Sequence, residues 1–278
     1  MDETKIILLN PNLHIQKSSI PRDQKKILFM HGLESGHNKS KSKFLKNYYK
    51  VCCPDMGVSL WKLHKENSIL KAVLVHQLFR LWLLIVSVCS LSVFCGYLFL
   101  EGSIEIIFVV LIFMFFMIFT KSVMKKLVAT AVYQALEASV EIQMREIDRF
   151  GPDVVVASSW GGAVAVQCIM KQKWKGPTLL LAPASHRVYD IIRSNYAVQT
   201  PSLGSELRSC IIAHASKDKT IKFVDSKKLL ATYTGSGWTK LYRVENDSHS
   251  LRTTLVQSKK LLDLVDETLM ASASPRFV

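Results

Sequence analysis

Several features of secreted and metal-binding proteins are missing from this sequence of 278 residues. Its six cysteines form no C-x-x-C pair, and no cluster of histidine, cysteine and carboxylate residues has the spacing of metal ligands. The first ten residues, MDETKIILLN, lack the basic start and long apolar core of a signal peptide. We therefore expect free, buried thiols in a reducing compartment, and neither a metal nor an organic cofactor.

Nucleic-acid motifs are also lacking, as are aromatic residues interleaved with the basic ones. The formal net charge is nevertheless +14. Because nucleic acid is disfavoured as a partner, this charge fits a protein held near an anionic lipid leaflet. We interpret the run Lys39, Lys41 and Lys43 as a solvated surface that faces lipid.

Charges are absent from two apolar stretches, residues 81–100 and residues 106–120. The first is long enough to cross a bilayer of roughly 30 Å, and the second needs a few flanking residues to do so. Both lack the polar face of a soluble helix, although a pair of buried core helices is the alternative interpretation. The sequence therefore predicts a transmembrane hairpin with an acidic loop at residues 101–105.

The loop of this hairpin has no basic residue, whereas lysine and arginine flank both spans. The flanking residues are Lys62, Lys65, Lys71 and Arg80 before the first span and Lys121, Lys125 and Lys126 after the second. The positive-inside rule puts both flanks on the cytoplasmic side. Since glycine and proline are absent from residues 103–150, the second span and the following helix are predicted to form one continuous rod.

Outside the hairpin, predicted strands alternate with predicted helices. The strands cover residues 5–9, 26–30, 50–54, 153–157, 178–182, 209–213 and 240–244, and the helices cover residues 38–49, 127–150, 163–170, 223–233 and 255–270. This alternation predicts an α/β fold with a mostly parallel sheet and helices on both faces.

The stretch DVVVASSWGGAVAVQCIMK turns from a β-branched strand into a helix over a few residues. So sharp a bend tolerates only small side chains two places on either side of its apex. With Ser159 at the apex these places hold Ala157 and Gly161, whereas with Ser158 one of them would hold the bulky Trp160. Ser159 is therefore predicted to be the exposed serine of a nucleophile elbow.

The reactive groups of a parallel α/β sheet gather at the carboxyl ends of its strands. Ser159, Asp218 and His249 each follow a predicted strand, in the order serine, acid, histidine. A serine hydroxyl is a poor nucleophile until a base removes its proton, so His249 is the predicted base and Asp218 the residue that fixes its tautomer. The backbone N–H groups of Leu33 and Trp160 are the predicted oxyanion donors.

Other interpretations of these residues stay open. Asp218 and His249 lie in polar turns, where either type is often only solvated. Asp55 is a rival acid, although it precedes the serine in the chain. His31, Gly32, Tyr189 and Ile192 are the candidate substrate-binding residues, with His31 expected to shape the oxyanion loop, His214 to pack at a strand end, and Ser35 and Ser158 to offer hydrogen bonds in the site.

The motifs HGLESG, ASSWGG, HASKDKTI and NDSHSL together resemble the oxyanion, nucleophile, acid and histidine signatures of the α/β-hydrolase fold. HGLESG, CPDMG, SSWGGAVA and GPTLLLAPA are most similar to small bacterial esterase-like hydrolases of the YqiA type. The resemblance covers most of residues 27–270 apart from the hairpin. Two departures are Ala157, in place of the commoner first glycine of the elbow, and the hairpin inserted after the strand that contains Cys52 and Cys53.

The resemblance implies a serine hydrolase of carboxylic ester or thioester bonds that acts through an acyl-enzyme intermediate. The placement of the hairpin suits lipid or other acylated substrates. Residues 1–69 and 123–278 would be the two parts of its α/β-hydrolase-like domain, facing the cytoplasm, and residues 70–122 the two-span membrane insertion. Because the hairpin leaves the carboxyl end of one strand, the membrane is expected on the active-site side. The alternative is a catalytically silent membrane protein that kept the hydrolase scaffold for binding.

Overall fold

A computed structural model describes residues 6–9, 21–34, 40–99 and 103–273 of the chain. The strands in these ranges are β1 (Ile6–Leu9), β2 (Lys26–Met30), β3 (Lys50–Cys52), β4 (Val58–Ser59), β5 (Asn67–Ser68), β6 (Val154–Ser158), β7 (Thr178–Leu181), β8 (Ser209–Ala215) and β9 (Trp238–Val244). The helices are α1 (Ser40–Lys46), α2 (Ile69–Val75), α3 (Gln77–Phe99), α4 (Ser103–Phe150), α5 (Trp160–Met170), α6 (Ser185–Ile192), α7 (Phe223–Ala231) and α8 (Lys260–Ala273).

Seven of these strands form one sheet in the order β1-β9-β8-β7-β6-β2-β3, and all neighbours run parallel. The chain passes outward from β2 to β3 and then resumes at β6 on the other side of β2. Such a reversal of strand order opens a crevice at the carboxyl ends of the two central strands. Leu33 and Ser159 follow β2 and β6, so both border this crevice.

Side chains of the sheet alternate between two apolar layers. In β2, Leu28 and Met30 join the layer that α2, α4, α5, α6 and α7 cover, whereas Ile27 and Phe29 join the layer that α1 and α8 cover. Both layers are buried because every strand of a parallel sheet is packed on its two faces. The predicted α/β fold, a mostly parallel sheet with helices on both faces, is confirmed.

Helix α4 is a single helix of 48 residues, in keeping with the absence of glycine and proline from its sequence. From Leu127 onward it packs in the core beside α5, where the indole N–H of Trp160 donates to the Ser139 hydroxyl at 3.3 Å. Nearer its start it runs beside α3, and the indole N–H of Trp82 donates to the Thr120 hydroxyl at 3.1 Å. The same helix α4 therefore packs beside α3 near its start and in the core of the sheet domain from Leu127 onward.

Among the described residues, no single helix combines the length and the apolar character needed to cross a bilayer. Ile69–Val75 and Phe79–Val88 are long and apolar enough only when the two are taken together, and a bend of 59° separates them. The predicted acidic loop at residues 101–105 is partly wrong, because α4 already begins at Ser103. Residues 101 and 102 lie outside the described ranges.

Some elements differ from the sequence-based expectation. The connection between residues 182 and 209 contains α6, and the small parallel ladder β4–β5 was not predicted. The last helix begins at Lys260 instead of residue 255, because residues 252–257 form a wide helical turn in which Asp247 accepts the Thr254 N–H at 2.8 Å. Of the described cysteine side chains, Cys168 and Cys210 are buried and free, whereas Cys52 and Cys53 are free but only half-buried.

Candidate active site

Ser159 stands in a strained turn between β6 and α5, with φ 55° and ψ −114°. A positive φ is uncommon for a residue with a side chain. Four backbone hydrogen bonds hold it there: its N–H donates to Leu181 at 2.9 Å, and its carbonyl accepts from Gly162 at 2.9 Å, from Ala184 at 3.0 Å and from Ala163 at 3.4 Å. The turn therefore has the geometry expected of an elbow.

Glycine is required on the helical side of this turn because β2 and the chain after β7 lie against it. A Cβ atom on Gly161 would lie 2.1 Å from the carbonyl oxygen of Met30, and one on Gly162 would lie 2.7 Å from Cα of Pro183. Neither contact is compatible with a side chain unless the backbone moves. This close approach is the physical reason for the small-residue pattern that singled out Ser159.

The structure brings Ser159, His249 and Asp218 together. Nε2 of His249 lies 2.9 Å from Oγ of Ser159, and its Nδ1 lies 2.6 Å from Oδ2 of Asp218. The side chain of His249 is 26% exposed, whereas that of Asp218 is 1% exposed. A hydroxyl that solvent can reach is thus hydrogen-bonded through an imidazole to a buried carboxylate, an arrangement in which the imidazole can accept the hydroxyl proton.

The carboxylate of Asp218 is held from several directions. Its Oδ1 accepts the backbone N–H groups of Thr220 at 2.7 Å and Ile221 at 2.9 Å. Burial alone would raise the pKa of Asp218, but the hydrogen bonds from His249 and from these N–H groups outweigh it and lower the pKa. Asp218 is therefore ionised at neutral pH.

His214 is a second imidazole beside the same carboxylate, with Nε2 3.4 Å from Oδ2 of Asp218. Its Nε2 also lies 3.0 Å from the Ile221 carbonyl, and its Nδ1 lies 2.7 Å from the Ser226 hydroxyl. Burial lowers the pKa of His214, so the ring is neutral at neutral pH. The sequence indicated only that His214 packs at the end of β8, and the contact with Asp218 depends on the fold of the following loop.

Leu33 and Trp160, the predicted oxyanion donors, lie just after β2 and β6. Trp160 is the first residue of α5, so its N–H is among the first-turn donors that have no acceptor within the helix. Leu33 lies in the turn after β2. The ring of His31 shapes this turn, because its Nδ1 lies 2.8 Å from the Gly32 carbonyl and its Nε2 accepts the Met56 N–H at 3.2 Å.

Tyr189 and Ile192, the predicted substrate-binding residues of α6, pack in the apolar core. Both are almost fully buried in α6 within the core, at 2% and 1% exposure. The Tyr189 hydroxyl contacts Gln167 and lies 3.6 Å from Sδ of Met170, which ends α5, whereas Ser159 precedes that helix. This placement does not favour the predicted contact with substrate, because α6 turns its apolar face toward α5 instead of toward the crevice.

Lys41 is not the solvated surface residue that we expected. Its ammonium donates to the Ser158 hydroxyl at 3.2 Å, beside the elbow. Burial lowers the pKa of Lys41 to about 8, although the carboxylate of Asp247 acts in the opposite direction. Lys43 is exposed as predicted, whereas Lys39 and Ser35 lie outside the described residues.

Asp55, the rival acid, lies beside Lys65 and His31. Its Oδ2 pairs with the ammonium of Lys65 at 2.5 Å, and its Oδ1 is 3.7 Å from Nε2 of His31. The carboxylate that contacts the imidazole of His249 is that of Asp218. Within the described ranges no three histidine, cysteine or carboxylate side chains are grouped as metal ligands.

The parallel sheet, its strand order and the strained serine turn define the α/β-hydrolase fold. No family model matches the chain, and no curated protein matches it. Among solved structures, TT1662 from Thermus thermophilus is similar with a TM-score of 0.50 and 11% identity, over 92% of this chain and 99% of that one.

Two further structures are similar at lower TM-scores. A putative hydrolase of the α/β superfamily from Xanthomonas campestris has a TM-score of 0.44 and 17% identity, over 87% of this chain and 98% of that one. An α-β serine hydrolase homologue from Coxiella burnetii has a TM-score of 0.35 and 15% identity, over 47% of this chain and only 58% of its own. Identities this low describe a shared fold.

The first prediction concerns the close approach at Gly161. Gly161→Ala is expected to lower the free energy of unfolding by about 2–3 kcal/mol, because the added Cβ must displace the backbone of Met30. Helix propensity alone would instead stabilise the variant by about 1 kcal/mol. Urea unfolding of the full chain shows whether the free energy of unfolding of the variant is lower or higher than that of the wild type.

Gly151→Ala is the matched control for this measurement. Gly151 has φ +58° but nothing within 4 Å of its ideal Cβ, so only the backbone strain of about 1–2 kcal/mol applies. A Gly161→Ala variant as stable as the wild type would contradict the packing that we describe.

The second prediction concerns acid stability. The folded-state pKa of Asp218 lies below its ordinary value of 3.8, so its carboxylate stabilises the fold above that pH and the contribution is lost as the pH falls through the folded pKa. Asp218→Asn is therefore expected to flatten the decline of unfolding free energy below pH 3.8. Asp23→Asn, at an exposed position, should keep the wild-type decline. An unchanged acid slope in Asp218→Asn would count against the buried hydrogen-bond network.

Proposed function

We propose that the protein is a serine hydrolase that cleaves carboxylic ester or thioester bonds through an acyl-enzyme intermediate. The observation that carries this proposal is the unbroken contact from Ser159 through His249 to Asp218, with distances of 2.9 and 2.6 Å. Serine, histidine and aspartate in this order of contacts activate a hydroxyl for attack on a carbonyl carbon. The strained turn at Ser159 and its position at the strand-order reversal also support it.

Each of the three residues has a distinct part in the proposed reaction. As Oγ of Ser159 attacks the carbonyl carbon, Nε2 of His249 accepts its proton, and Asp218 stabilises the imidazolium that forms. His249 then delivers the proton to the leaving alkoxide or thiolate, which leaves Ser159 acylated. A water molecule, deprotonated by the same imidazole, hydrolyses the acyl-enzyme. The N–H groups of Trp160 and Leu33 are the proposed oxyanion donors, and loss of one such donor typically costs about 3 kcal/mol.

We infer that residues 70–122 anchor this enzyme in a membrane, as an insertion between the parts of the hydrolase domain at residues 1–69 and 123–278. Support comes from the two uncharged stretches and from the large apolar side chains that α3 and α4 expose to solvent. They are Leu81, Leu83, Leu84, Val88 and Leu91 on α3 and Leu111, Met114, Ile118 and Phe119 on α4. Exposed apolar surface of this extent is typical of protein that contacts lipid or another protein.

Lipids and other acylated molecules are the proposed substrates, and the cytoplasm is the proposed side of the catalytic domain. The exposed lysines at positions 121, 125 and 126 follow the apolar part of α4, in keeping with the positive-inside rule. The resemblance to YqiA-type esterases stays a prediction. A silent binding protein is the alternative, but no contact within the described triad favours it.

The third prediction tests the proposed nucleophile. A fluorophosphonate probe should label the wild type and fail to label Ser159→Ala, because only an activated serine hydroxyl attacks the phosphorus. Ser158→Ala is the matched control, since the Ser158 hydroxyl contacts Lys41, and it should keep the label. Equal labelling of Ser159→Ala and the wild type would contradict the proposed mechanism, and no labelling of either would favour the binding protein.

The fourth prediction tests the topology in sealed membranes with the cytoplasmic face outward. A cysteine introduced by Gly102→Cys should be protected from a membrane-impermeant thiol reagent until the membrane is permeabilised, because the acidic loop is proposed to lie on the far side. Lys222→Cys, at an exposed position before α7, should react at once. Immediate reaction at both positions would rule out the proposed hairpin, and reaction of Gly102→Cys with protection of Lys222→Cys would reverse its orientation.

A further inference from the structure

A short segment between β4 and β5 exposes apolar side chains beside the candidate active site. In this segment, which we name the apolar tip (residues 60–65), Leu60 is 36% exposed, Trp61 is 70% exposed and Leu63 is 50% exposed. Lys62 and Lys65 lie between and after them. A tryptophan this exposed is uncommon in a soluble domain, whereas tryptophan and lysine together are typical of a membrane–water interface.

The apolar tip is an ordered turn. Its two ends are joined by the pairing of Val58 with Asn67 and of Ser59 with Ser68. The Ser59 hydroxyl accepts the N–H groups of Trp61 at 3.2 Å and Lys62 at 2.9 Å. The exposed side chains are therefore presented by a turn with defined backbone hydrogen bonds, so their exposure does not follow from a lack of local structure.

Glu34 joins the apolar tip to the loop of the proposed oxyanion hole. Its Oε1 accepts the Ser59 hydroxyl at 2.9 Å and the Leu60 N–H at 2.6 Å. Glu34 directly follows Leu33, whose N–H is a proposed oxyanion donor. A second connection is the bond from the Met56 N–H to His31 at 3.2 Å. The apolar tip is thus hydrogen-bonded to Glu34, the residue next to the proposed oxyanion donor Leu33, and lies at the edge of the candidate active site.

The apolar tip also leads into the proposed anchor. Strand β5 is followed at once by α2, whose last residues Leu74 and Val75 are 38% and 58% exposed, and then by α3. Lys71 is exposed in the same region, as is Lys62, whose ammonium lies 4.0 Å from Oε2 of Glu34, and the net charge of the chain is +14. An apolar surface with basic neighbours matches an anionic lipid leaflet better than it matches a protein partner, because lysine is depleted from the centre of protein interfaces.

We propose that the apolar tip inserts Trp61 and Leu63 into the interface of an anionic bilayer and so sets the candidate active site against the lipid surface. This inference rests on the proposed function, since it assumes an anchored hydrolase. It adds a second membrane contact, on the hydrolase domain itself, and it identifies the source of the substrate as the adjoining leaflet.

The location of Trp61 tests this proposal directly. The full chain is reconstituted in vesicles of phosphatidylcholine and phosphatidylserine with bromine-labelled acyl chains, and tryptophan emission is compared between the wild type and Trp61→Phe. The difference between the two emission spectra is the contribution of Trp61. In the wild type, this contribution should be quenched by the brominated lipid and protected from acrylamide in the aqueous phase. Trp238→Phe is the control, because Trp238 begins β9 and packs against the apolar core, so the emission that this change removes should not be quenched by the lipid.

Activity supplies the second readout. Trp61→Ser combined with Leu63→Ser should lower the hydrolysis of an ester embedded in these vesicles about a hundredfold, the effect of losing the burial of two apolar side chains. Hydrolysis of a water-soluble ester should be unchanged. Val224→Ser, which removes an apolar side chain that is 45% exposed on α7, should change neither rate. Equal losses on both esters, or on neither, would overturn the proposal.

Failure of this proposal can be told apart from failure of the proposed function. Wild-type protein that does not float with the vesicles would overturn both membrane contacts, and loss of serine-dependent fluorophosphonate labelling would overturn the hydrolase. Protein that floats and is labelled, but whose Trp61 emission is reached by acrylamide and not by bromine, would overturn the lipid contact of the apolar tip alone.

Discussion

The site depends on how closely the helix after the serine approaches the end of β2. The absence of a side chain at Gly161 lets the carbonyl of Met30 lie where a Cβ would otherwise be. This contact sets the first turn of α5 against the loop that carries Leu33, so the two proposed oxyanion donors share one crevice. The strained backbone of Ser159 is held by the four backbone hydrogen bonds around it.

One carboxylate stands between two imidazoles that differ in environment. His214 is fully buried, and its lowered pKa keeps it neutral, whereas His249 is partly open to solvent and contacts the serine. In the proposed mechanism the negative charge of Asp218 is therefore available to stabilise an imidazolium at His249. The backbone N–H groups of Thr220 and Ile221 hold the carboxylate in place, so its orientation does not depend on His249 alone.

The sequence predicted the features that depend on local spacing. The β-branched strands, the glycine beside the elbow and the helix without glycine or proline all follow from neighbouring residues. The meeting of Ser159, Asp218 and His249 could be expected because each follows a strand of one parallel sheet. The contacts of Lys41 with Ser158 and of Glu34 with Leu60 could not be predicted. They join segments that are distant in the chain, and the sequences of the loops involved have no periodic pattern that indicates their path. The burial of Tyr189 could not be predicted for a related reason, since the orientation of α6 decides which of its faces is buried.

Helix α4 has a mechanical consequence. With 48 residues it is about 70 Å long, and it contains no glycine or proline at which a helix would kink. Its final third lies under Trp160, the residue next to the serine, through the Ser139 hydroxyl. One uninterrupted helix therefore connects the apolar segment beside α3 with the residue next to the serine.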